Sequence, residues 1–160
     1  MTKFVMAIVL AIPMLCSSPD AQTPVGVEYW SNTWFAQIRA KMDSAANQSS
    51  YHFASERLAD YPNDAVLLVS RKADGPPEWH QTQVDVMLIQ SGSATLLVGG
   101  TLVNPETVPP DDKRGGTIEG GTRQKISAGD VVRVPARTPH QLFLDGTKEL
   151  DYVVIKVKGH

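Results

Sequence analysis

Apolar positions fall into two textures along the chain. In SNTWFAQIRAKMDSAAN (31–47), Trp34, Phe35, Ile38, Met42 and Ala45 recur at helical spacing behind the capping candidates Ser31 and Asn32, which predicts one amphipathic helix. From about residue 50 the pattern shortens into apolar runs punctuated by Gly, Pro and Asp. DAVLLVSRK (64–72) reads as a buried strand, DVMLIQSGSATLLVGG (85–100) as a hairpin about Ser91–Gly92–Ser93, and GGTIEGGTRQKI (115–126) as a weaker strand pair. In GDVVRVPARTPHQLFLD (129–145), Pro135 and Pro139 cannot donate to a ladder, so the run reads as strand, turn, strand, with His140 opening the second strand. ELDYVVIKV (149–157) is a last strand, and NPETVPPDDKRGG (104–116) is a polar loop without periodicity. Many short strands at this spacing predict an all-β sandwich or barrel with one N-terminal helix.

The first residues have a different character. Lys3 is followed by FVMAIVLAIPML (4–15) and then small residues, the pattern of an export signal ending near residue 21. The apolar run is too short for a membrane anchor, so no membrane association is expected after cleavage, and the chain is expected in the periplasm or secreted. A buried N-terminal helix and a lipidated Cys16 are the other readings of the same residues. The expected division is 1–21 signal peptide, 22–48 helical segment and 49–160 barrel domain. Cys16 is the only cysteine of the 160 residues, so a chain cleaved near residue 21 has neither disulfides nor thiol chemistry. The net charge of −2 offers no basic surplus for phosphates, which argues against nucleic acid as a partner.

Two stretches resemble the characteristic motifs of the cupins. Gly129, Pro135 and His140 stand in the register of the second cupin motif, with Arg137 in place of its second glycine and Leu144 in place of its asparagine. Counting back from Gly92 puts Asp85 at the acidic position of the first motif, His80 at its second histidine and Glu78 at its first. The resemblance spans about residues 64–157. It implies a cupin-type β-barrel, that is, a double-stranded β-helix or jelly roll, with the marked side chains converging inside.

On that reading His80, Asp85 and His140 share a pocket and bind a divalent metal such as Zn, Mn, Fe or Ni, with Glu78 on the same strand face as His80. Either Glu78 or Asp85 serves as carboxylate ligand and the other carries a proton. The opposing reading is a metal-free barrel whose interior histidines are satisfied core residues. Leu142 and Leu144 share the face of His140, and Met87 and Ile89 follow Asp85, a wall that suits a small-ligand pocket or a plain core. Gln83 is a weak substitute ligand or a polar barrel residue. Arg137 is a candidate substrate-binding guanidinium or a solvated turn residue. Trp79 faces away from Glu78 and His80 by alternation; His52 and His160 are expected to be structural or exposed. A metal-dependent enzyme of dioxygenase or isomerase type and a non-catalytic barrel for a sugar-type ligand both remain open, because the fold hosts both. Val153, Ile155 and Val157 alternate along a terminal strand that needs covering, which suggests a homodimer.

Overall fold

The computed structural model describes residues 26–159. The expected export segment and His160 lie outside them. Ser31 starts α1 (Asn32–Gln48) as its N-cap, its hydroxyl accepting from the Trp34 amide at 3.1 Å. No helix among the described residues is long and apolar enough to cross a membrane.

Twelve strands follow: β1 (Phe53–Asp60), β2 (Asp64–Arg71), the short β3 (Glu78–Trp79), the long β4 (Gln83–Val98), β5 (Thr101–Val103), β6 (Glu106–Val108), β7 (Asp112–Arg114), β8 (Thr117–Glu119), β9 (Thr122–Ser127), β10 (Val131–Val134), β11 (His140–Phe143) and β12 (Leu150–Lys158). All pairings are antiparallel, and ten of the strands form one curled sheet running β1-β2-β12-β4-β11-β3-β7-β6, with β9 and β10 also paired to β4.

The expected hairpin at Ser91–Gly92–Ser93 does not form. β4 is continuous, and this is where it changes partners: before it β4 pairs with β12 and β10, after it with β9 and β11. A register shift against β12 skips Gln90, so the inward parity passes from Asp85, Met87 and Ile89 to Ala94 and Leu96. That break in alternation resembles a turn in the sequence. Likewise 115–126 holds two strands that do not pair with each other: β8 pairs with β5, and β9 with β4. The stretch read as a loop, 104–116, contains the β6–β7 hairpin. β10 and β11 pair with the two halves of β4 rather than with one another.

Alternation gives the sheet two apolar faces. Inside lie Val69, Met87, Ile89, Leu96, Val134, Leu142, Leu144, Leu150, Tyr152 and Val154. Outside, Leu68 and Val153 are buried beneath Met42 of α1, with Phe35, Ile38 and Leu88 packed around them. Charged pairs hold the helix to the same face: Asp43 contacts Lys72 at 2.9 Å, and the Ser70 hydroxyl donates to Asp43 at 3.2 Å. The motive for expecting a dimer through β12 therefore falls away. β12 is an interior strand between β2 and β4, and α1 already covers Val153.

Candidate metal and ligand site

β3 with the residue that follows it, β4 and β11 bring the expected residues together. Glu78 closes against His140 across the β3–β11 pair. Asp85 stands opposite Lys156 of β12 and Val134 of β10. His80 and His140 are both buried, with ring centroids 5.6 Å apart. Glu78, His80 and His140 each present one ligand atom such that all three lie within 4.8 Å of one another, and they form the one such group among the described residues.

The outer nitrogens of both rings are occupied. His80 Nδ1 lies 2.7 Å from an Asp112 carboxylate oxygen, whose other oxygen accepts from the Gln81 amide at 3.0 Å. His140 Nδ1 lies 3.1 Å from the Thr138 carbonyl, which can only accept, so Nδ1 carries the proton. The Nε2 atoms therefore face inward. His80 Nε2 is 3.6 Å from Glu78 and 3.4 Å from Asp85, and His140 Nε2 is 3.8 Å from Asp85.

Asp85 is differently engaged. The Lys156 ammonium lies 2.8 and 2.9 Å from its two oxygens and 3.1 Å from His80 Nε2. A line as short as that between Nζ and Nε2 holds a single proton. Glu78 meets the guanidiniums of Arg71 and Arg114, each at 3.6 Å. Arg71 in turn lies over the Phe53 ring at 4.8 Å and donates to the Tyr152 hydroxyl at 3.4 Å.

A cavity of about 780 Å³ opens beside this cluster. Its wall combines Glu78, Asp85, His140 and Lys156 with the apolar Met87 and Leu142. Gln83 is not among the lining residues. Arg137, expected to face a ligand, also lies outside the cavity; it is exposed in a smaller cleft with Gln81, Thr82, Ala136 and Gly159. Its contribution is through the backbone, where its amide donates to the His80 carbonyl at 2.7 Å. Arg137 adopts φ +60°, the left-handed region that suits the glycine of the cupin motif. Replacing Arg137 with glycine should therefore raise the unfolding free energy by up to about 1 kcal/mol, measured by urea titration. An unchanged or lower midpoint would contradict this account of the turn. Trp79 turns away from the cluster as alternation requires and lies under Lys113, 5.0 Å from Nζ to ring centre. His52 is exposed.

Burial and charge act against each other at these groups. For Glu78, burial raises the pKa, but His80, Arg114 and Arg71 more than offset it and hold the carboxyl at about 2. Burial likewise raises Asp85, and His80 with Lys156 brings it below its ordinary value. Burial lowers His140 and prevails over the pull of Glu78 and Asp85. At His80 burial also lowers the pKa, but Asp85 and Glu78 raise it to about 10 against the opposing Lys156. The signs give a pH profile for metal-stripped protein. Glu78 stabilises the fold above its ordinary 4.5 and loses that contribution as pH falls through about 2. His140 acts in the same direction below its ordinary 6.5. His80 stabilises below 6.5 and loses its contribution as pH rises through about 10. Thermal midpoints should fall on both limbs, and Glu78→Gln should flatten the acid limb below about pH 4.5. An acid limb of equal steepness in that variant would refute the assignment.

Several contributors escaped the sequence reading. Lys156 had a signal: in ELDYVVIKV it shares the parity of Leu150, Tyr152 and Val154, a charge on an apolar face. Arg71 shares the parity of Leu67 and Val69 in the same way. Asp112 had none, because it lies in the stretch without periodicity.

No family model matches the chain, and no curated protein matches it. Solved structures do. BH2720 from Bacillus halodurans is 13% identical, with a TM-score of 0.55 and 86% of each chain covered. A Klebsiella pneumoniae protein with a double-stranded beta-helix domain is 14% identical, with a TM-score of 0.52 over 70% of this chain and 82% of that one. KdgF from Halomonas sp. is 14% identical, with a TM-score of 0.50 over 71% and 85%. At such identities the likeness concerns architecture alone. The chain folds as a cupin-type double-stranded β-helix with one helix laid across its outer face.

Proposed function

We propose that Glu78, His80 and His140 hold one divalent metal ion and that the adjoining cavity takes a small polar molecule, outside the cytoplasm if residues 1–21 direct export. The observation that carries this reading is the pinning of both imidazoles. With Nδ1 of His80 against Asp112 and Nδ1 of His140 against Thr138, each ring turns Nε2 inward, and one ligand atom each of Glu78, His80 and His140 falls within 4.8 Å of the others. Such outer-shell partners orient a histidine ligand and raise its basicity. Two imidazoles and one carboxylate suit Zn, Mn, Fe or Ni.

A bound ion would supply Lewis acidity toward a carbonyl or hydroxyl oxygen of the ligand. The remaining work falls to the chain. Arg71, braced by Tyr152 and Phe53, orients Glu78 and offers a guanidinium to the cavity. Asp85 is the group placed to move a proton, because its charge is shared with Lys156 rather than committed to the ligand cluster. Met87, Leu142 and Val154 keep water from the inner wall. The volume suits a ligand of small-molecule size.

A second reading, a metal-free binding barrel, draws support from the Lys156–Asp85 ion pair, which already supplies a cation inside the cluster. Elemental analysis of protein purified without chelator or metal affinity resin distinguishes the two. About one equivalent of metal per chain is expected. A chain that stays metal-free after incubation with Mn, Fe, Zn and Ni leaves only the binding barrel.

A further inference from the structure

Lys156 Nζ has three polar atoms within reach: Asp85 Oδ1 at 2.8 Å, Asp85 Oδ2 at 2.9 Å and, across a single shared proton, His80 Nε2 at 3.1 Å. Strand register sets this position. Lys156 is the direct partner of Asp85 across the β12–β4 pair, and alternation turns it inward with Tyr152 and Val154. A slip of one residue would put Ile155 or Val157 there instead. The atom it reaches on His80 is also the atom that completes the ligand group with Glu78 and His140. Nε2 cannot keep the proton it shares with Lys156 and bind a metal ion at once.

We propose that Lys156 is a tethered cation that competes with a divalent metal for His80 Nε2, so that lysine-closed and metal-loaded forms of this site exclude each other. The inference rests on the metal reading given above. In the closed form Asp85 and His80 both keep partners, so no buried charge is left alone and the barrel stays folded without metal. Opening the site needs only a side-chain movement. The lysine stem is flexible, its side chain is 19% exposed, and the cavity lies beside it. Wild-type affinity for metal is then lowered by the fraction of molecules in which the lysine holds Nε2.

Lys156→Met keeps most of the length of the side chain and removes its charge; Lys156→Gln is a second neutral variant should the first fold poorly, and Lys156→Arg retains the cation. The measurement is calorimetric titration of chelator-stripped proteins with Zn²⁺ and with Mn²⁺, alongside thermal midpoints with and without metal. The neutral variants should bind one ion per chain about tenfold more tightly than wild type or better, and metal should raise their midpoints by more than it raises the wild-type midpoint. Lys156→Arg should show no such gain. If wild type binds metal and the neutral variants bind it no more tightly, the competition is refuted and the metal site stands. Binding by the neutral variants with none by wild type supports the competition and removes the reading that the native chain carries metal. Absence of binding in every form overturns both.

Discussion

Replacing His140 with alanine is expected to reduce bound metal from about one per chain to near zero while the barrel stays folded. His140 offers one of the three candidate ligand atoms, from β11, whereas His80 follows β3; the nearest other group, Asp85, has both oxygens on Lys156. Loss of an outer-shell partner alone typically weakens metal binding by about 10- to 100-fold, and loss of a ligand should exceed that. The wild-type fold should gain about 2.7 kcal/mol when free metal stands at about 100 times its dissociation constant, and the variant should gain almost nothing. Asp85→Asn is the informative companion. Because both Asp85 oxygens face Lys156, this variant should keep most of its metal and lose turnover if the protein is an enzyme. A His140→Ala protein that still holds a full equivalent would exclude this ligand set.

The second large effect concerns the backbone at Gly92. This residue sits where β4 exchanges β12 for β9 and β11, at φ +77°, beside the Glu149 carbonyl. A Cβ there would overlap the Glu149 oxygen and lie 3.0 Å from the Glu149 carbonyl carbon and 3.2 Å from Leu150 Cα, so backbone rather than a mobile side chain would have to give way. Left-handed strain adds about 1–2 kcal/mol and overpacking about 1–3 kcal/mol, so Gly92→Ala should destabilise the chain by about 3 kcal/mol or more. Gly99 offers the control: its φ is +81°, but nothing lies within 4 Å of the added carbon. Gly99→Ala should therefore cost only the strain, about 1–2 kcal/mol. Equal losses at the two glycines, measured by denaturant titration, would show that the contact at Glu149 does not matter.

The same residue illustrates what could be read from the sequence. Gly92 was located correctly as a singular point, and its spacing to Asp85 and His80 led to the site, yet it marks a bend in one strand and not a turn between two. Local pattern detects a break in alternation; it does not say whether the chain reverses there, because that depends on partners far away in sequence. The helix was readable because its apolar stripe and its Ser31 cap are local. The convergence of His80, His140 and Glu78 was legible only through the resemblance to the cupin motifs, whose marked side chains meet inside one barrel. Lys156 and Arg71 were overlooked because charged residues in strands usually face water, and only their parity marked them as interior. The lining role assigned to Arg137 did not hold because its side chain leaves the turn outward, while the backbone conformation expected of the missing glycine is retained.

The place of β12 has a bearing on how the protein is made. β2 and β4 are neighbours only through β12, which fills the gap between them and pairs with both along most of its length. Until Leu150–Lys158 has been synthesised, two apolar strands formed much earlier, DAVLLVSR and the first half of β4, have facing edges with no partner. Edges of this kind template association with other chains. The nascent polypeptide thus has a long interval in which most of the sheet exists as sequence but cannot close, and Lys156, which completes the polar cluster, arrives within the segment that ends this interval. Protection of those edges during synthesis is therefore a requirement separate from the equilibrium stability of the finished barrel.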